Sequence, residues 1–331
     1  YHTQRDGRYV LPVDARYQNK VPGIIHDRSA SGTTVYIEPM ELVEDSNALK
    51  SMIREEEMEI RRILRELTSL IAQQEAELHQ NLVLFTQIDF IAAKARFAVR
   101  YEMQEPKLRQ DRTFSIVNAR HPLLLVKHGR DRVVPLSLTL SRDVRGLMIT
   151  GPNTGGKTVT LKTVGLIVLM AQSGLHVSAD SNTELPVFES VNADIGDEQS
   201  LEQSLSTFSS HMHTIRHVLE TADAKTLVLL DELGSGTDPV EGGALSCAIL
   251  DQLHRLGATY FVTTHLQELK LYAYKTEGVV NGAMEFDLQS LQPTYRFTMG
   301  LPGKSNAIQI ADRLGLPRIV IERAHATLEK A

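Results

Sequence analysis

The chain has 331 residues, 42% of them apolar and 23% charged, which at about 150 residues per domain makes one large or two medium domains and excludes a disordered tail or disulfide-stapled mini-protein. Its 35 Lys and Arg against 41 Asp and Glu give a net charge of −6, so there is no bulk positive charge to condense onto nucleic acid. A single cysteine, Cys247, excludes an internal disulfide and a thiolate metal centre and fits a reducing, cytoplasmic compartment, and the longest apolar run, 164–171, is far shorter than the roughly 20 residues that span a bilayer.

The first 40 residues read as a small β element. Two short strand-like runs, 22–26 and 34–38, are joined by Asp27-Arg28-Ser29-Ala30-Ser31-Gly32, a hairpin pattern in which Gly32 is free to take a positive φ. From 40 to 100 there is no Pro or Gly, and Ile53, Ile60, Leu64, Leu67, Ile71, Leu78, Leu82 and Phe85 recur with spacings of 7, 4, 3, 4, 7, 4 and 3. That heptad rhythm predicts one long helix, or two nearly continuous ones, with one buried stripe. The charged first half (Arg54-Glu55-Glu56-Glu57, Arg61-Arg62, Arg65-Glu66) must face water, as in a lever or stalk.

Pro106 and the polar stretch 107–113 interrupt this pattern, so the boundary is set at 110/111: a partial core or lever region over 1–110 and an α/β domain over 111–331. In the second part, short apolar runs at 147–150, 226–230 and 259–263 alternate with helical stretches, the grammar of a parallel sheet. A final helix is expected over 318–330.

The strongest local signal is Gly151-Pro152-Asn153-Thr154-Gly155-Gly156-Lys157-Thr158, placed after an apolar strand and before the helical stretch 158–170. It fits the phosphate-loop pattern, in which glycines turn backbone N–H groups inward, Lys157 reaches the β- and γ-phosphates and Thr158 ligates Mg²⁺. The run 226–230 ends in Asp231 and Glu232. Asp231 suits hydrated Mg²⁺, and Glu232 can orient or deprotonate the attacking water. After the next strand comes Thr263-Thr264-His265, where His265 is either a γ-phosphate sensor or an ordinary loop histidine. Ser206 and Thr207 open the helical run 208–220, where hydroxyls and N–H groups can cap the helix and bind an anion. His211, His213 and His217 do not read as a metal site, because only the last two share a helix face and zinc takes three or four ligands.

The order of these pieces, phosphate loop, Ser/Thr-rich helix start, Asp-Glu strand, Gly-rich turn and Thr-Thr-His, resembles the ABC-type ATPases. The wording resembles the MutS family: TGPNTGGKT (150–158), SLSTFSSHM (204–212), LLDELGSGTDP (229–239) and TTH (263–265). Within it, GRYVLPV (7–13), HDRSASGTTVYIEP (26–39), NARHPLL (118–124), IGDEQSLEQSLSTFSSHM (195–212) and GLPGKSNAIQIADRLGLP (300–317) are most similar to the bacterial MutS-two branch.

The resemblance implies an ABC-type P-loop ATPase domain with a long helical lever segment and a small N-terminal β element, taking ATP or ADP with Mg²⁺. It implies a homodimer in which Lys157, Thr158, Asp231, Glu232 and His265 act in one subunit while Ser206 and Thr207 contact the γ-phosphate held by the other. Val133 and Val134 match the positions that line the adenine side, as apolar contacts. The family's Smr-type nuclease domain and its further lever and clamp segments are expected outside this chain, and no mismatch recognition is expected of it. The implied targets of the whole protein are branched DNA, with suppression of recombination, or stalled ribosomes and their rRNA; no membrane partner is implied. A structural DNA clamp without turnover has no use for Glu232, and a transporter ATPase would carry Leu-Ser-Gly-Gly-Gln where this chain has Leu205-Ser206-Thr207-Phe208.

Overall fold

The structure of the chain is a computed structural model that describes residues 2–196, 204–287, 289–301, 307–313 and 315–328, with the side chains of residues 153, 204–207 and 307 outside that description. Two compact units are formed, 1–89 and 90–331, the division falling within one helix. Among the described residues no helix is long and apolar enough to cross a membrane.

In the first unit β1 (Thr3–Arg5), β2 (Arg8–Asp14), β3 (Gly23–Arg28) and β4 (Thr34–Pro39) form an antiparallel sheet in the order β1-β2-β4-β3. The expected hairpin joins β3 to β4: the Ser29 N–H donates to the Thr34 carbonyl at 2.9 Å, the Gly32 N–H donates to the Ser29 carbonyl at 2.8 Å, and Gly32 takes φ +67°. Pairing shifts register between Ile25 and Asp27, which leaves His26 as the extra residue of a bulge. Its Nε2 lies 2.6 Å from Oε2 of Glu38, a fully buried carboxylate that also accepts from Nη1 of Arg8 at 2.9 Å on each oxygen.

Two helices follow, α1 (Val43–Ala72) and α2 (Glu75–Arg100), with the break at Gln73 and Gln74. The Pro- and Gly-free heptad region is thus two nearly continuous helices. Its apolar stripe, however, faces solvent: Leu64 is 56% exposed and Ile71 63%. A heptad repeat records which face seeks a partner, and none of the described residues covers this one. On the polar face Arg62 pairs with Glu59 at 2.7 Å and Glu66 at 3.1 Å.

After the end of α2, the second unit continues with β5 (Lys107–Arg109), within the polar stretch read as an interruption. That stretch forms a strand because a parallel partner, Lys107 opposite Glu184, supplies the ladder, and Arg109 donates to Oε1 of Glu184 at 2.6 Å. Next come β6 (Phe114–Ala119), α3 (Pro122–His128), β7 (Leu136–Leu140), β8 (Gly146–Thr150), α4 (Lys157–Gln172), β9 (Glu184–Pro186) and β10 (Ser190–Asp194). Then α5 (Ser204–Thr221), β11 (Thr226–Leu230), α6 (Pro239–Leu256), β12 (Thr259–Thr263) and α7 (Gln267–Lys275) alternate. The unit closes with β13 (Val279–Asp287), β14 (Gln292–Met299), α8 (Ala307–Arg313) and α9 (Arg318–Leu328), the last being the expected terminal helix, of which 329 and 330 lie outside the described residues.

The main sheet runs β10-β11-β12-β8-β13-β14, parallel except for β14, beside a small sheet β5-β9-β6-β7. Alternate strand residues feed opposite cores, as the two-residue period of a strand demands. Leu147, Ile149, Leu227, Leu229 and Phe261 pack with α4 and the small sheet, whereas Met148, Val228, Leu230, Tyr260 and Val262 pack with α5, α6 and α7. This is a mixed α/β domain whose central strands, buried on both faces, end at one common edge.

Burial alone would raise the Glu38 pKa, but hydrogen bonds from Ser46, His26 and Arg8 outweigh it and hold the carboxyl below the usual glutamate range. A depressed folded-state pKa contributes stability that is complete above the unfolded-state value of about 4.3 and is lost as pH falls through the folded one. Glu38→Gln is therefore expected to cost the first unit about 3 kcal/mol at neutral pH, by stranding Arg8, and to flatten the loss of stability below about pH 4. Denaturant titrations between pH 3 and 7 check both; a variant with the wild-type pH profile contradicts the assignment.

Candidate functional site

The functional edge begins where β8, buried throughout, runs into residues 151–158. The chain leaves the strand at Gly151 with φ +132°, passes Pro152 into a 3₁₀ turn over Asn153–Gly155, and enters α4 through Gly156 at φ +92°. Both positive-φ glycines are sterically required. A Cβ on Gly151 would lie 3.1 Å from the Met284 backbone oxygen, and one on Gly156 would lie 2.9 Å from the Tyr295 ring. The hydroxyl of Thr150 ties the strand end to the Gly282 carbonyl at 3.0 Å. Thr154 is exposed, Gly155 buried and Thr158 half-buried; the Asn153 side chain lies outside the described residues.

Lys157 is 2% exposed and donates from Nζ to the Gly151 carbonyl at 2.9 Å. Burial pushes its pKa below the ordinary lysine range, Glu232 and then Asp231 pull it back, and Lys270 adds to the depression. The first turn of α4 has no acidic residue and no side-chain cap. A helix N-terminus beside a buried ammonium suits an anion.

The carboxylates arrive on the neighbouring strands. Asp231 follows β11, its N–H donating to the Asp194 carbonyl at 2.8 Å. Glu232 follows in a left-handed conformation, φ +49°, which costs a residue with a Cβ about 1–2 kcal/mol. What holds both is Thr263, fully buried at the end of β12: its hydroxyl donates to Oδ1 of Asp231 and accepts from the Glu232 N–H at 2.7 Å, while its carbonyl accepts from the Leu233 N–H at 3.2 Å. The motif reading of Thr263-Thr264-His265 singled out the histidine and missed this threonine, because only the β11–β12 pairing shows which hydroxyl faces the carboxylates. His265 itself is exposed, on the loop before α7, and Thr264 fixes that loop by donating its N–H to the Ile149 carbonyl of β8 at 3.1 Å. The structure thus brings Lys157, Asp231, Glu232 and Thr263 to one edge. Oxygen donors from Asp231 and half-buried Thr158 suit a hard cation such as Mg²⁺.

Beside the loop lies a cavity of about 290 Å³ whose walls include Val133, Val134, Gly156, Val159, Met284 and Tyr295. Val133 is 9% exposed and Val134 37%. The Val133 segment is pinned by the Arg120 guanidinium, whose Nε donates to the carbonyls of Arg130 at 3.1 Å and Val133 at 3.2 Å, and Arg120 is in turn tied through its N–H to the Ser178 carbonyl at 2.8 Å. Tyr295 on β14, left-handed at φ +57°, supplies the aromatic surface that Val133 and Val134 lack. Sequence reasoning missed it: a tyrosine in a polar strand carries no local sign that it folds back onto a glycine 139 positions earlier.

Ser206 and Thr207 lie in the first turn of α5, with side chains outside the described residues. Of the three histidines that follow, His213 and His217 are exposed and His211 bonds from Nδ1 to Oδ2 of Asp194 at 2.7 Å. Among the described residues no group of three or more His, Cys, Asp or Glu side chains is placed to hold a metal ion.

Residues 147–331 match the family described as MutS domain V. The chain is 50% identical over 328 residues to the protein named Endonuclease MutS2 of Alkaliphilus oremlandii, covering 99% of this chain and 41% of that protein. It is also 50% identical over 327 residues to its namesake in Clostridium botulinum strain Okra, and 50% over 326 residues to that of Agathobacter rectalis, again covering 41% of each. The chain therefore spans about two-fifths of the length of these relatives.

Thr263→Val keeps the buried shape and removes the hydroxyl that joins Asp231 to Glu232. The activity of this edge is expected to fall about 10–100-fold with little change in melting temperature. Unchanged activity would show that the carboxylates do not depend on Thr263.

Proposed function

Because the chain belongs to the MutS family through its domain V, we propose that its functional edge binds ATP and hydrolyses it to ADP and phosphate. The observation that carries this reading is the convergence of a buried Lys157 ammonium on the Gly151 carbonyl with the Asp231–Thr263–Glu232 set one strand pair away.

In this reading the loop N–H groups of 151–158 and Lys157 hold the β- and γ-phosphates, and the cavity takes the base between Tyr295 and the apolar Val133–Val134 wall. Thr158 and Asp231 would hold Mg²⁺, which supplies charge neutralisation on the phosphoryl oxygens. Glu232 accepts a proton from the attacking water as its oxygen bonds to the γ-phosphorus and the bond to the bridging oxygen breaks. His265, exposed on the loop before α7, would read the γ-phosphate.

The part from about residue 111, which contains the domain V match over 147–331, would close on a second copy, whose Ser206 and Thr207 at the start of α5 reach the γ-phosphate across the interface. Closure then completes the site and hydrolysis reopens it. The α1–α2 segment would carry that motion as a lever. The setting is cytoplasmic, and the work of the whole protein falls on branched DNA, suppressing recombination; the relatives' name, endonuclease, supports a nucleic-acid target. Stalled ribosomes and their rRNA are the alternative target.

Glu232→Ala is expected to bind Mg·ATP with wild-type affinity, to lose at least about 100-fold in turnover, and to double in light-scattering mass only when Mg·ATP is present. A variant that stays monomeric with Mg·ATP contradicts the closure, and one that turns over normally contradicts the role of Glu232. Tyr295→Ala is expected to weaken ATP about tenfold, from lost stacking, and to leave inorganic tripolyphosphate binding unchanged; equal loss for both in calorimetry would remove the base from that cavity.

A further inference from the structure

His211 has no part in the site described above, yet its partner does. Asp194, the last residue of β10, is bonded in two directions. Its main-chain carbonyl accepts the Asp231 N–H at 2.8 Å, extending the β10–β11 ladder one residue beyond the strand to the carboxylate proposed for Mg²⁺. Its side-chain Oδ2 accepts from His211 Nδ1 at 2.7 Å, with 15% and 24% of the two side chains exposed. A half-buried bond between a carboxylate and an imidazole N–H fixes direction as well as distance.

On α5, His211 stands four residues, about one turn, after Thr207, so the two positions share a face of the helix. The same end of α5 lies near the turn that follows Glu232: a Cβ added to Gly236, at φ +85°, would come 3.9 Å from the Cβ of Phe208. The start of α5 is therefore bonded to its own carboxylate strand before Asp231, through Asp194, and lies near the turn after Glu232, at Gly236. An N-terminal turn offered to a ligand gains nothing from this arrangement unless its placement relative to Asp231 and Glu232 matters.

We propose that His211 is a positioning residue for turnover: through Asp194 it sets the first turn of α5 in register with the Asp231–Glu232 edge of the same subunit. The proposal rests on the ATPase reading and adds the link by which occupancy of one edge is communicated to the turn carrying Ser206 and Thr207. A bond needed only for packing would alter stability; a positioning bond separates binding from turnover.

The test is a comparison of wild type, His211→Ala, His211→Asn and Asp194→Ala, each measured for Mg·ATP affinity by calorimetry, for steady-state turnover and for melting temperature. Asparagine keeps an N–H close to the place of Nδ1. His211→Ala is expected to bind Mg·ATP within about twofold of wild type while kcat falls about tenfold, His211→Asn to regain most of the loss, and the His211→Ala/Asp194→Ala double variant to lose no more than either single one. The proposal is overturned if His211→Ala keeps its kcat, if the Asn variant is as poor as the Ala variant, or if the two losses multiply. Lys157→Ala serves as the separate control: if it binds Mg·ATP as tightly as wild type, the nucleotide reading itself has failed, irrespective of His211.

Discussion

The ammonium of Lys157 lies almost wholly out of water, and a charge so placed persists only where oxygen atoms replace its hydration shell. In this protein one of those atoms is the Gly151 carbonyl, which reaches Nζ because Gly151 and Gly156 adopt backbone angles closed to other residues. The rest of the second unit serves that arrangement. β12 and β13 flank β8 and place the loop at its end, and α4 starts directly after it with no acidic residue in its first turn.

Parallel topology accounts for how the remaining groups arrive. β11 and β12 are neighbours and β12 adjoins β8, so residues just past three strand ends, 150, 230 and 263, meet at one edge although they are far apart in sequence. Thr263 then converts proximity into a fixed relation, because one hydroxyl serves Asp231 as donor and Glu232 as acceptor. The left-handed turn at Glu232 is the local strain that this bond offsets, and strain held in place by its surroundings is a common mark of a working site.

Local pattern made much of this legible in the sequence. The strands at 147–150, 226–230 and 259–263, the loop 151–158, the hairpin at Gly32 and the Asp-Glu pair are all specified by neighbouring residues, and they stand where that pattern puts them. What the sequence withheld depends on contacts distant along the chain. The polar stretch at 107–109 becomes a strand only because Glu184 lies alongside, Tyr295 gains its role only by folding back onto Gly156, and Thr263 and Arg120 act through bonds that no spacing announces. The heptad rhythm of α1 and α2 specifies which face can be buried, and that face is exposed here, since periodicity encodes the demand for a partner and not its presence.

The claim on which all else depends is that Lys157 holds a nucleotide's phosphates. Calorimetric titration of Mg·ATP and Mg·ADP into the chain and into Lys157→Ala tests it most directly. The wild type is expected to bind one nucleotide per chain, and the variant to bind Mg·ATP at least about 100-fold more weakly, the scale of losing a buried charge-assisted contact. Equal affinities for wild type and variant, or no binding by the wild type, would contradict it.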